Sequence, residues 1–128
     1  MVFTAVLTTP TDRRSDDTDR YPVWERIITF TIDAGDGNAK LTQAVPVNGI
    51  LQKIIVTSGT ANSISGTFTL SIDDNGNNEI FTASGPAEEG TSTFNVTEPV
   101  TGSIDVGIDP NDDPGSGSWV ITVTLRGI

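Results

Sequence analysis

Residues 118–125, SWVITVTL, carry apolar side chains at every second position. The apolar positions are Trp119, Ile121, Val123 and Leu125, and valine or threonine stands between them. Successive side chains of an extended strand point to opposite faces, so this spacing places the four on one face. The pattern predicts a β-strand with one buried face.

The same alternation recurs along the chain from Ile27 onward. Strands are expected at residues 28–32, 39–45, 50–57, 67–72, 78–82, 91–97 and 103–108, in addition to the last one. No segment shows a sustained period of 3.6 residues, so helix should be a minor component. About eight antiparallel strands at this spacing predict an all-β fold, either a β-sandwich or a jelly roll.

Turn residues separate the predicted strands. The run SIDDNGNNEIF, residues 71–81, is typical of a β-hairpin because Asn75 and Gly76 tolerate the positive φ of a tight turn. The oxygen-rich part, residues 73–79, also suggests calcium. However, Gly76 is the fourth residue of that run, whereas an EF-hand loop needs glycine at its sixth position. We therefore expect a turn here, and no metal or cofactor anywhere in the chain.

The composition excludes several classes of function. The chain has 128 residues, no histidine and no cysteine, so it can form neither a Ser-His-Asp or Cys-His catalytic system nor a zinc site built from those residues. Its net charge of -10 disfavours nucleic acid, which is bound through lysine and arginine. The adjacent carboxylate pairs lie in predicted turns, where solvation keeps carboxylates ionised and unsuited to act as general acids. We expect no enzymatic activity.

The N-terminal segment differs from the rest of the chain in its charge. Four of the seven basic residues lie within residues 1–26, and the run TDRRSDDTDRYPVW at 11–24 has no hydrophobic period. Pro10 and Pro22 are expected to interrupt regular structure. The sequence predicts an extended N-terminal arm at 1–26 that precedes a β-sandwich domain at 27–128.

The arm also supplies the candidate interface residues. Arginine, tyrosine and tryptophan are enriched at interface hot spots. The candidates are Arg13, Arg14, Arg20, Tyr21 and Trp24. Trp24 has an alternative role, in which it closes one end of the sandwich. The β-prone run at 2–9 is suited to pair with a sheet edge of the same or another subunit, so an arm exchanged between copies is one hypothesis.

Three blocks of the sequence resemble a known family. They are residues 49–81, 99–108 and 115–128, reading GILQKIIVTSGTANSISGTFTLSIDDNGNNEIF, PVTGSIDVGI and GSGSWVITVTLRGI. Over residues 27–128 the chain resembles the capsid decoration, or cement, proteins of tailed bacteriophages. The resemblance implies a structural virion protein that binds the major capsid protein and forms homotrimers on the capsid surface. It implies no catalytic residue and no cofactor.

Several expectations accompany this resemblance. The N-terminus lacks the features of a signal peptide and no stretch is long enough to span a membrane, so we expect assembly in the bacterial cytoplasm without membrane or nucleic-acid partners. Two alternatives stay open, a phage tail, neck or fibre component and a carbohydrate-binding adhesion module. Such modules usually display exposed coplanar aromatic rings, whereas most of the aromatic residues here fall at predicted core positions.

Overall fold

The computed structural model describes residues 3–12, 23–33, 39–60, 67–86, 88–111 and 117–128, the first of these ranges by its backbone. Nine strands lie within these residues. They are β1 (Phe3–Asp12), β2 (Trp24–Asp33), β3 (Leu41–Pro46), β4 (Gly49–Ser58), β5 (Phe68–Asp73), β6 (Glu79–Ser84), β7 (Thr91–Val100), β8 (Ser103–Pro110) and β9 (Ser118–Gly127). Each predicted strand is present, and β1 is the strand beyond the predicted eight.

The strands form two sheets with only antiparallel pairs. Sheet A has the order β1-β2-β9-β4-β7, and sheet B has the order β3-β8-β5-β6. The prediction of an all-β sandwich is therefore confirmed. In the described part of the chain, no helix is long and apolar enough to cross a membrane.

The core lies between the two sheets, and the period of two explains its composition. Its side chains come from the inward positions of the strands, including all four apolar positions of β9 that the sequence pattern singled out. Trp119 is fully buried, donates a hydrogen bond from Nε1 to Ser58 Oγ at 3.0 Å and meets the ring of Phe68 edge-on. Every buried side-chain nitrogen and oxygen of the described residues has a hydrogen-bond partner, as burial requires.

The β-prone run near the N-terminus forms β1, which lies at one edge of sheet A. It pairs with β2 of the same chain, from Phe3 opposite Ile32 to Asp12 opposite Trp24. Of the two partners that the sequence left open for this run, the structure shows the one within the chain. The predicted boundary between the arm and the domain was residue 26. Strand β2 begins at Trp24 and continues past this boundary, so sheet A contains residues from both sides of it.

Candidate functional site

A cleft runs along the side of the sandwich where β6 and β7 lie. Each is the last strand of its sheet, β6 of sheet B and β7 of sheet A. The rings of Phe81 on β6 and Phe94 on β7 meet edge-to-face, with centroids 5.1 Å apart and planes 62° apart. Side chains, rather than a backbone ladder, therefore connect the two sheets here. We call this feature the β6/β7 cleft.

The β6/β7 cleft encloses a cavity of about 260 Å³. Its described lining residues are Leu51, Ile80, Phe81, Val96, Thr97 and Glu98. Leu51 forms the buried floor, whereas Ile80, Phe81 and Val96 are half-buried and pack against the core. The cavity therefore has apolar walls that open to solvent.

A β-bulge in the hairpin accounts for the two apolar residues of β6. Asp73 pairs with Glu79 and Ile72 pairs with Phe81, so Ile80 has no partner on β5. The extra residue disturbs the alternation of faces. As a result Ile80 and Phe81, which are consecutive, are both half-buried and both line the cleft. The one sequence signal for this arrangement is two adjacent large apolar residues in a strand that otherwise alternates.

Glu98 provides the charged group of the cleft. Phe94, Val96 and Glu98 occupy alternate positions of β7. Their side chains therefore lie on the same face of the strand, and this face is the less exposed one. Glu98 is half-buried, and no described residue donates a hydrogen bond to it. Among the described residues that line the cavity, Glu98 is the one carboxylate. Acid–base hydrolysis of a glycosidic bond takes two carboxyl groups, and the described lining contains one.

The loop suspected of calcium binding is a hairpin turn, as predicted. Asp74 Oδ1 accepts hydrogen bonds from the backbone N–H groups of Gly76 and Asn78, both at 2.8 Å. The pKa of Asp74 is lowered, chiefly by the N–H of Asn78. The positive φ falls on Asn77, at 65°, and not on the predicted pair Asn75–Gly76. The reason is that the Asp74 carboxylate supports a longer loop, in which Asn77 N–H also bonds to the carbonyl of Asp74.

Other carboxylates are dispersed over the described surface. Within the described ranges, no three histidine, cysteine, aspartate or glutamate residues are grouped closely enough to hold a metal ion. Glu88 and Glu89 lie in the turn between β6 and β7. The pair Asp112–Asp113 lies outside the described residues.

The predicted interface residues fall into two groups. Arg13, Arg14, Arg20 and Tyr21 lie outside the described residues, and their interface role stays a prediction. Trp24 is buried with 1% of its surface exposed, and its Nε1 donates a hydrogen bond to the carbonyl of Ile128 at 3.3 Å.

The position of Trp24 therefore agrees with its alternative predicted role, which was to close one end of the sandwich. The guanidinium carbon of Arg26 lies 5.7 Å from the centre of its ring, within the range of a cation–π interaction. Arg26 also donates a hydrogen bond from Nε to the carbonyl of Pro46 at 3.1 Å. Since Pro46 ends β3, this bond links sheet A to sheet B beside Trp24.

No family model and no curated protein matches this chain. Among solved structures, the chain is similar to a mitogen from Yersinia pseudotuberculosis, with a TM-score of 0.48 and 13% identity over 81% of this chain and 86% of the other. It is also similar to the CBM36-1 domain of a multidomain xylanase from the hindgut metagenome of Trinervitermes trinervoides, with a TM-score of 0.47 and 10% identity over 99% and 98%. A third is the carbohydrate-binding module CBM6cm-2 of Cellvibrio mixtus lichenase 5A, with a TM-score of 0.40 and 18% identity over 100% and 98%.

Proposed function

We propose that the chain is a non-catalytic module that binds a neutral carbohydrate in the β6/β7 cleft. The observation that carries this proposal is the half-buried ring of Phe81 in the same cavity as the Glu98 carboxylate. Small-molecule sites commonly combine apolar walls with a few polar groups that fix orientation.

The chemistry of the lining fits a sugar ring. One face of a pyranose presents C–H groups, which pack against aromatic and aliphatic side chains such as Phe81 and Ile80. Its hydroxyls are hydrogen-bond donors, and a carboxylate group such as that of Glu98 accepts hydrogen bonds from them. In addition, β6 and β7 are edge strands among the described strands, and each has one side without a described strand partner, where backbone N–H and C=O groups are available.

The alanine variant of Phe81 tests this proposal. Titration calorimetry with cellotriose, xylotriose and β-1,4-galactotriose should detect binding of at least one of them to the unaltered protein. Phe81→Ala should raise its Kd about tenfold or more, because aromatic anchors dominate binding energy. Thr82→Ala is the matched control, since Thr82 is the exposed next residue of the same strand and should leave Kd unchanged.

Two outcomes of this experiment would contradict the proposal. One is that none of the three neutral trisaccharides binds the unaltered protein. The other is an affinity that Phe81→Ala and Thr82→Ala change equally. Because Phe81 also touches Phe94, the circular dichroism spectrum of each variant must match that of the unaltered protein before affinities are compared.

A structural role on a phage capsid is the second function that we propose, and the free edge of β7 favours it. Among the described strands β7 pairs with β4 alone, and its first seven residues, 91–97, carry neither charge nor proline, which occur only near its end, at Glu98 and Pro99. Natural proteins usually protect a long edge strand with charges or proline, because an unprotected edge pairs readily with another chain. Edge pairing between copies would support the expected homotrimer and its contacts with the major capsid protein.

Light scattering on Thr93→Lys tests this second proposal. We expect the unaltered protein to be an oligomer and Thr93→Lys to shift its mass to that of the monomer, since a lysine on an edge strand opposes pairing. Thr69→Lys is the control, because Thr69 is equally exposed but belongs to β5, which has strand partners on both sides. A monomeric unaltered protein would contradict pairing through β7 in the absence of a capsid.

A further inference from the structure

A row of polar side chains crosses the outer face of sheet A, away from the β6/β7 cleft. Glu25 pairs with Arg126, Arg126 pairs with Lys53, and Lys53 pairs with Asn95, so the row spans β2, β9, β4 and β7. Lys53, Asn95 and Arg126, together with Gln52, line a depression of about 340 Å³. We call this depression the outer-face site.

A bulge in β4 places two consecutive residues in the outer-face site. Against β9, β4 carries one extra residue, Gln52, between Leu51 and Lys53, whereas against β7 the extra residue lies on β7, between Asn95 and Glu98. Leu51 and Ile54 are both buried, so Gln52 and Lys53 between them both face outward. A regular strand would have turned one of the two inward. The bulge therefore concentrates polar groups at one point of a central strand, a device that is common beside functional sites.

The charges of the row leave an excess of positive charge. Arg126 Nε bonds to Glu25 Oε2 at 2.7 Å, which orients the guanidinium and leaves its two Nη groups for another acceptor. No described residue forms an ion pair with Lys53. Lys53 and Arg126 are paired directly opposite each other on neighbouring strands, and like charges in that position repel. The chain has a net charge of -10 and only seven cations, yet two of them are adjacent here, and among the described side chains the carboxylate of Glu25 alone pairs with them.

We propose that the outer-face site binds the carboxylate of an acidic saccharide, a uronate residue. The planar fork of Arg126 matches a carboxylate, and the Lys53 ammonium adds a second positive donor. The amides of Gln52 and Asn95 donate to and accept from sugar hydroxyls. Val23 and Ile128, which are 38% and 41% exposed, form an apolar rim for the C–H face of the ring. The saccharide class rests on the proposed function, whereas the site and its carboxylate chemistry do not.

Titration with trigalacturonate tests the inference. We expect binding to the unaltered protein that weakens as salt is raised, because part of the attraction is between charges. Lys53→Gln and Arg126→Gln should each raise the Kd about 10- to 100-fold, since each removes a charge-assisted hydrogen bond. Lys40→Gln is the matched control because it removes the same charge from an exposed residue outside the site, and it should leave the Kd unchanged.

The outcomes separate this inference from the proposed function. If trigalacturonate does not bind the unaltered protein, or if Lys40→Gln weakens binding as much as Lys53→Gln, the inference is wrong, whatever the neutral trisaccharides do. Equal affinity for polyglutamate would overturn the saccharide class, because an acidic peptide would then be an equally good ligand. Binding of trigalacturonate that Phe81→Ala leaves intact supports two separate sites. If trigalacturonate binds but none of the neutral trisaccharides does, only the proposed neutral-sugar site in the β6/β7 cleft is wrong.

Discussion

Trp119→Ala is expected to lower the free energy of unfolding by about 3–5 kcal/mol, the range measured when a large aromatic side chain is removed from a core. Three features of Trp119 place it at the upper part of this range. The side chain is fully buried, it meets Phe68 with ring centroids 5.7 Å apart, and its Nε1–H bonds to Ser58 Oγ at 3.0 Å. The variant leaves a cavity and also deprives the buried Ser58 of its donor.

Urea unfolding followed by circular dichroism measures this effect, since the variant has lost one of the two tryptophans that fluorescence would report. Val120→Ala is the control, because Val120 is the next residue of β9 and is 40% exposed. Its cost should stay within about 0.5 kcal/mol, as for ordinary surface changes. Trp119→Phe should fall between the two, because it keeps most of the volume and loses the hydrogen bond. Equal midpoints for Trp119→Ala and Val120→Ala would mean that the period of two has been assigned to the wrong face.

Gly127→Ala is expected to cost about 2–3 kcal/mol, at the upper end of the range for overpacking a core. Gly127 is a buried position of β9 where the chain packs closely on its neighbours. A Cβ atom there would collide with the carbonyl oxygen of Ile50 and would lie 2.5 Å from Cζ2 and 2.8 Å from Cε2 of Trp24. Neither neighbour can move easily, because Ile50 belongs to a central strand and Trp24 is buried.

Gly76→Ala is the matched control for this substitution. A Cβ at Gly76 would lie 3.2 Å from Nδ2 of Asn78, an exposed side chain that, among the described residues, is held only by 3.3 Å hydrogen bonds to the Asp74 carboxylate. Its effect on the free energy of unfolding should stay within about 0.5 kcal/mol. Thermal and urea unfolding of both variants provide the comparison. A Gly127→Ala protein as stable as Gly76→Ala would show that β9 and the Trp24 ring do not pack as closely as described.

Alternation alone located eight of the nine described strands, since each predicted run corresponds to a strand of the structure, whereas β1 falls in the segment that was predicted to be an extended arm. Alternation succeeded because one face of a strand contacts the core and the other faces water, so apolar residues recur at every second position. Its errors are local. The hairpin after β5 was predicted around Asn75–Gly76, but the Asp74 carboxylate shifts the positive φ to Asn77.

The two candidate sites could not be predicted in the same way, because both depend on bulges. At Gln52 and at Ile80, a residue without a regular partner changes which side its neighbours face. A strand has an extra residue only relative to the strand with which it pairs, so a bulge is found by comparing the numbers of residues in the two paired strands. The partners of β4 are β7 and β9, which are distant in sequence. A local pattern does not give that count for β4, whereas for β6, which pairs with its neighbour β5 in a hairpin, the adjacent apolar residues Ile80 and Phe81 were a local signal.

By itself, the sequence determined the fold class, the buried face of the regularly alternating strands such as β2 and β9, and the exclusion of histidine and cysteine chemistry, because these depend on residue types and on a period of two. Only the tertiary structure decided the sheet order, which makes β6 and β7 facing edges, and the register, which brings Lys53 beside Arg126. It also decided that Trp24 belongs to the core. Sheet order and register depend on contacts between distant segments, and those contacts are chosen by packing the whole sandwich at once.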